Sequence, residues 1–279
     1  MKRLVLILVL AFSFVFVTNE SNAQKILDGP YIKENTPTRR VVPYTPIREA
    51  DVMWARRVWR VIDLREKINH PLYYPTEPLA ERKSLFDVIK EGITEGTLTA
   101  YDDEEFLVAL TKAQATGKLG DSIQIYVEDP EDPTGDLIPE TTYQELTPDR
   151  IKQYYIKEDW FFDRERSVMD VRIMGIMPIK EAIDQDGNFK GYASTFWVYF
   201  PEARYVFANY DVFNRHNDAE RRTFEDIFWK RMFNSYIKRW SNVYNNRIID
   251  SYKRGLDALL EGEDIKEQIM FVEHDLWSF

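Results

Sequence analysis

Thirteen prolines divide this 279-residue chain, and their placement limits its fold more than any other feature. Seven lie between Pro30 and Pro78, and none follows Pro201. A proline fixes φ, donates no backbone hydrogen bond and biases the residue before it toward extended geometry. From Gln24 the stretch QKILDGPYIKENTPTRRVVPYTP is broken at Pro30, Pro37, Pro43 and Pro46 and lacks helical periodicity. Residues 24–46 therefore read as an extended arm. Such an arm buries little against itself and is either disordered or laid along a neighbour. The remainder, residues 47–279, reads as a single domain large enough to stand on its own core.

Ahead of the arm, Lys2 and Arg3 precede an apolar run from Leu4 to Val17, and Ser21-Asn22-Ala23 offers small residues for cleavage. This pattern predicts a secretory signal peptide over residues 1–23, too short for a comfortable membrane span. No cysteine lies near the cut, so no lipid anchor is expected there, and the chain has no cysteine anywhere. Thiol catalysis, disulfides and cysteine metal sites are thereby excluded. No second apolar run could span a bilayer.

The net charge is −10, or −11 without residues 1–23, and it is unevenly spread. Residues 24–75 carry ten Lys and Arg against six Asp and Glu, whereas residues 101–146 carry two Lys against twelve Asp and Glu. An acidic chain of this kind is a poor partner for nucleic acid. Patches of opposite sign suit head-to-tail contact with a copy or a partner, although charge runs are also ordinary solvated faces.

The expected fold class is α+β, with helices flanking a small, mainly antiparallel sheet. Thr45-Pro46 predicts a helix start, and His70-Pro71 a stop near Asn69. Ser84 caps a second helix that Gly96 ends. Asp102 or Asp103 caps a third over EEFLVALTKAQ. Residues 117–146 read as acidic loop with one strand, SIQIYV. Thr147-Pro148 opens a fourth helix over RIKQYYIKEDWFF. A β-hairpin follows over about 167–200, turning at Asp186-Gly187. A short helix follows Pro201. Thr223, with Asp226 three residues on, caps a long helix over TFEDIFWKRMFNSYIKRWSN, and a last one covers about 247–273.

Catalytic signatures are missing: there is no G-x-S-x-G, G-x-G-x-x-G or phosphate-binding loop. His70, His216 and His274 stand 146 and 58 residues apart, without metal-ligand spacing. His70 is explained by a helix end, where an imidazole meets the last carbonyls. Glu128, Asp129, Glu131, Asp132 and Asp136 could bind Ca²⁺ but lack the alternating ligand pattern, so a solvated loop is the plainer reading. No cofactor and no catalytic residue is expected. The carboxylates leave one alternative, an exported carbohydrate-binding protein or two-carboxylate glycan hydrolase with tryptophans stacking on sugars.

What the sequence offers instead is surface. DVMWARRVWRVIDLREKINHPLYYP, residues 51–75, holds two Trp, four Arg and two Tyr in twenty-five residues. Read as a helix, it puts Trp54 and Trp59 about 140° apart, with Arg56 and Arg60 in a row that continues to Asp63 and Lys67. Trp229, Phe233, Tyr236 and Trp240 form a similar row farther on. Trp, Tyr and Arg dominate protein–protein hot spots. The candidate partner-interface residues are therefore Trp54, Arg56, Arg57, Trp59, Arg60, Tyr73, Tyr74, Trp229 and Trp240.

The block VMWARRVWRVIDLREKINHPLYYP resembles the gliding-motility protein GldN family, called PorN in non-gliding relatives. YIKEDWFFDRERSVMDVRIMGIMPI at 155–179 and NYDVFN at 209–214 are similar to the same family. The resemblance implies a periplasmic, non-enzymatic component of the type IX secretion system of Bacteroidetes. It implies a ring under the outer membrane built from copies of this chain with a lipoprotein, GldK or PorK. It also implies contact with the periplasmic part of the motor protein GldM or PorM. No catalytic residues are carried over.

Overall fold

The computed structural model describes residues 40–79, 82–128, 137–183, 189–215, 217, 219–245, 247–248 and 252–277. The leader, residues 24–39 of the arm, His216 and the Asp186-Gly187 turn lie outside these residues, as do Asp129, Glu131, Asp132 and Asp136 of the acidic loop.

The fold is α+β, built on a seven-stranded sheet in which every pairing is antiparallel. Its strands are β1 (Val52–Asp63), β2 (Ala100–Tyr101), β5 (Ile151–Asp163), β6 (Val168–Ile183), β7 (Phe189–Ser194), β8 (Trp197–Tyr199) and β9 (Tyr236–Trp240). The order is β2-β8-β6-β5-β1-β9, with β7 also on β6. The expected hairpin is β6–β7, paired from Ile179 with Ser194 to Ile183 with Phe189. A separate hairpin joins β3 (Gly120–Glu128) to β4 (Leu137–Glu145). SIQIYV lies in β3, while β4 corrects the reading of this region as loop.

The helix expected from Thr45 to Asn69 is a strand. Val58, Trp59, Val61 and Ile62 are branched or aromatic residues suited to a pleated surface. The outer half of β1 alternates in burial, and the inner half, Val58 to Asp63, is buried throughout because both faces of the sheet are covered. That double burial removes the alternation that would have marked it. The proposed fourth helix fails in the same way. Thr147-Pro148 opens one 3-10 turn, Pro148–Arg150, and the chain then runs extended as β5 against both β1 and β6.

Six helices complete the described chain: α1 (His70–Tyr73), α2 (Leu85–Glu95), α3 (Lys112–Lys118), α4 (Phe200–Phe207), α5 (Phe224–Trp229) and α6 (Leu256–Trp277). His70 thus starts a short helix rather than stopping a long one. Ser84 caps α2 by accepting from the Asp87 N–H, and Gly96 ends it at φ 84°. That left-handed conformation suits glycine. Asp103 caps no helix; its carboxylate accepts from the Leu107 and Val108 amides in a loop. The true cap is Thr111, in a capping box with Gln114. Thr223 does cap α5 in a box with Asp226, but the helix ends at Trp229. Arg231 takes φ 52°, and the chain re-emerges extended as β9.

Two faces follow from the register. On one, Ile62, Tyr154, Ile156 and Ile176 meet α2, α4 and α5 through Phe86, Phe200, Phe207, Phe224 and Phe228. Farther along it, Val58 and Ile237 meet α6 through Ala258, Ile265 and Ile269. On the other face Trp59, Met177, Ile179 and Trp197 form a smaller cluster with Tyr101, Phe106 and Tyr155. Gly175 permits it: a Cβ there would stand 2.6 Å from Phe106 Cζ.

Candidate functional site

The nine candidate interface residues fall into several environments rather than one patch. Because β1 is a strand, residues an odd number apart point to opposite faces. Trp54, Arg56 and Arg60 share the helix-covered face, and Trp59 lies on the other. Trp54 and Trp240 pack on the α6 cluster. The Arg56 guanidinium lies 4.3 Å from the Trp240 ring centroid and 5.9 Å from that of Trp54. Burial lowers its pKa from the ordinary arginine value. The ring N–H of Trp240 donates to the Tyr252 hydroxyl at 3.3 Å. Arg57 is exposed and grips Asp159 with two bonds of 2.6 and 2.8 Å. Tyr73 and Tyr74 meet edge-to-face at 4.9 Å, with His70 against Tyr74 at 5.4 Å.

Arg60 is a buried structural residue. Its guanidinium donates to the Ser235 hydroxyl at 2.8 Å and the Ser235 carbonyl at 2.9 Å, and burial depresses its pKa. Beside it Glu158 has no exposed surface. The Arg231 guanidinium stands 2.9 Å from that carboxylate, and the Trp160 ring N–H donates to it at 3.0 Å. This charged cluster lies between the two hydrophobic clusters of the helix-covered face.

Trp229 belongs to a clasp that holds the end of the arm. The Tyr44 ring stacks on Trp229 at 5.8 Å, with the Arg204 guanidinium 4.2 Å and the Arg172 guanidinium 4.9 Å from its centroid. Arg204, only 3% exposed, donates to the Val42 carbonyl at 2.8 Å and to Glu225 at 2.6 and 2.8 Å. Arg172 donates to the Thr45 carbonyl. Burial raises the Tyr44 and Glu225 pKa values, and Arg204 opposes both shifts. Residues 42–45, the described end of the arm, are therefore laid along this chain's own surface. Tyr44, Arg172 and Arg204 are absent from the sequence-derived candidates, because only the fold brings Arg172 on β6 and Arg204 on α4 to Tyr44.

The second face of the sheet carries a cleft of about 680 Å³. Trp59, Met177, Ile179 and Trp197 give it an apolar floor. The Arg239 guanidinium lies over Trp59, 3.6 Å from the ring centroid, and pairs with Glu104. Lys118 pairs with Asp102. Lys238 donates to the Tyr155 hydroxyl. Lys157, whose pKa burial lowers, donates to the Glu104 carbonyl at 2.6 Å and so ties the loop down. The ring nitrogen of Trp59 is buried without an acceptor. No sequence period could have joined Trp59, Glu104 and Arg239: strand pairing sets Arg239 beside Trp59, and a loop brings Glu104 to Arg239.

Fold and site together define an α+β protein whose distinctive chemistry is stacked arginine–aromatic pairs and ion pairs. Among the described residues no group of three or more His, Cys, Asp and Glu could hold a metal ion. Nor is any described helix long and apolar enough to cross a membrane. The chain belongs to the GldN family: the model of the gliding motility associated protein GldN matches residues 47–278. No curated protein matches it. The sequence resemblance thus holds across nearly all of the folded chain, and the family ties it to gliding motility.

Proposed function

We propose that this protein is a periplasmic, non-enzymatic structural component of the type IX secretion and gliding machinery. In this role copies of the chain assemble with an outer-membrane lipoprotein of the GldK or PorK kind into a ring under the outer membrane. They also contact the periplasmic part of the inner-membrane motor, GldM or PorM. The observation that carries the reading is family membership over residues 47–278. The leader-like residues 1–23 support an exported location, with the lipoprotein as the membrane tether. The exposed side chains of Arg57, Tyr74 and Trp229 suit repeated protein contact.

The glycan-active alternative is less well supported. Both carboxylates of the cleft, Asp102 and Glu104, are engaged by Lys118 and Arg239. The Trp59 ring that would stack on a sugar is already covered by Arg239.

Deleting the gene and restoring it tests the proposal. Cells without the protein lose export of surface adhesins and secreted enzymes, and restored cells regain it. Undiminished export in the deletion strain would overturn it. Fractionation supplies the location: the protein should leave cells with the outer-membrane fraction only while the lipoprotein is present.

A further inference from the structure

Another concavity, of about 930 Å³, is lined by residues of α1, of α5 and of the chain around Val212. We infer that it binds a single-chain anionic amphiphile, a molecule of the fatty-acid class. The inference goes beyond the proposed secretion role and does not depend on it.

Two stretches that stand out in the sequence meet at this groove. Lys67, Ile68 and Tyr74 come from the end of the 51–75 block, and Val212, Phe213 and Asn214 from NYDVFN. Each stretch is fixed from behind. Asn69 is wholly buried; its amide donates to the Asp63 carbonyl at 2.8 Å and the Asn234 carbonyl at 3.0 Å, and accepts from the Asn234 N–H at 2.9 Å. That anchors the 3-10 turn Lys67–Asn69 ahead of α1. The Val212 N–H donates to the Arg222 carbonyl at 2.7 Å, and Asp211 bridges to Thr223, the cap of α5. Walls held in this way are ready for a ligand without further ordering, which favours binding.

The lining is mainly apolar: seven of its twelve residues are aliphatic, aromatic or proline. Val212 and Ile227 belong to the buried core, and Met232 packs against it. Ile68 and Tyr74 also line the groove yet stay 55% and 41% exposed. Apolar surface left open along a concavity marks a binding site, and this lining gives the body of a ligand little to hydrogen-bond with. A hydrocarbon body fits it.

The charged groups fix the head. Lys67, Arg215 and Arg222 line the groove, and among the described residues no Asp or Glu does. The chain as a whole carries 47 Asp and Glu against 37 Lys and Arg, so the local sign opposes the global one. Arg222 is held by Glu220 at 2.6 Å, whereas among the described residues no carboxylate pairs with Lys67 or Arg215. Positive groups beside an apolar hollow attract an anion that carries an apolar tail. Size decides between a small molecule and a protein. A stable protein contact takes about 20–30 residues a side, well above the twelve here, and the volume lies within the roughly 300–1,000 Å³ of small-molecule sites.

The test is calorimetric titration of the purified chain with dodecanoate, tetradecanoate and hexadecanoate, each below its micelle concentration. Binding should saturate at one molecule per chain and tighten about tenfold with every two methylenes until the groove is full. Dodecanol, the same body without the charge, should bind at least tenfold more weakly than dodecanoate, and dodecyltrimethylammonium should not bind. Two variants change exposed side chains only: Lys67→Glu with Arg215→Glu, and Ile68→Ser. With unchanged thermal midpoints, the first should weaken tetradecanoate binding at least tenfold and the second about threefold. Absence of saturable binding, an alcohol that binds as well as the acid, or variants that both bind like the wild type would each overturn the inference. So would binding to phosphatidylglycerol vesicles without binding of the monomeric acids, the behaviour of a membrane-surface patch. Gene deletion reads the secretion role separately, so either reading can fail while the other stands.

Discussion

Removing the guanidinium of Arg231 should destabilise the fold more than any surface change. Glu158, on β5, is wholly buried. Its charge is balanced by Arg231 at 2.9 Å, with the Trp160 ring N–H at 3.0 Å as a further donor. Arg231→Ala strands that carboxylate between two hydrophobic clusters. Breaking a buried pair from one side costs about 3–5 kcal/mol. The Arg231 side chain is 29% exposed, so water can partly replace it, and the lower end, about 3 kcal/mol, is expected. At about 2–4 °C per kcal/mol for a chain of this size, the midpoint should fall by about 6–12 °C. Residue 231 sits at φ 52°, but Arg and Ala both carry a Cβ, so that strain is common to both proteins. Urea and thermal unfolding of Arg231→Ala, Glu158→Gln and the double variant complete the cycle. The double variant should be more stable than Arg231→Ala alone, because the stranded charge is gone. A double variant no more stable than Arg231→Ala would refute the reasoning, and so would an unchanged single variant.

Other perturbations have equally definite outcomes. Arg204→Ala should cost about 3 kcal/mol, since it leaves the half-buried Glu225 without Arg204, and should free the arm, read as faster tryptic cleavage after Arg48. Gly175→Ala places a methyl 2.6 Å from Phe106 Cζ and 3.2 Å from Trp197 Cε3. It should cost about 1–3 kcal/mol and change tryptophan fluorescence as the loop over the cleft shifts. Bonds from Arg166 hold the Asp163 pKa below the usual carboxylate range. A depressed folded-state pKa stabilises above the unfolded value and loses that contribution as pH falls through the folded one. The gap in thermal midpoint between wild type and Asp163→Asn should therefore be widest near neutral pH and close on acidification. A gap that is constant from pH 7 into the acid limb would contradict this.

What could be read from the sequence depended on how each element is buried. Ser84 and Gly96 bracket α2, and Thr223 starts α5, because caps are local chemistry. The β6–β7 hairpin was legible from its apolar, branched runs on either side of a turn signal. By contrast β1 and β5, with 12 and 13 residues, have the length of helices. Both faces are covered along much of each, so the two-residue alternation is lost. The arginines of β1 also fit a helical surface, and only enrichment in Val, Ile, Trp and Tyr pointed to strand. The turn after α5 carries neither Gly nor Pro; Arg231 takes the left-handed conformation instead, which no local rule would place there. Sites were legible to the extent that they are local. The composition of residues 51–75 singled out Trp54, Arg56 and Trp59, yet on a strand Trp59 belongs to a different surface from the other two. The Tyr44 clasp and the Trp59–Arg239 stack join residues more than a hundred positions apart, and only the folded chain brings them together.

The most direct measurement is the native mass of the particle that holds this protein after gentle extraction from envelopes, with its companions identified. The structural role predicts an assembly many times the mass of one chain, with a lipoprotein present in near-equal amount. A free monomer, stable in mild detergent at low salt and without a lipoprotein companion, would contradict it.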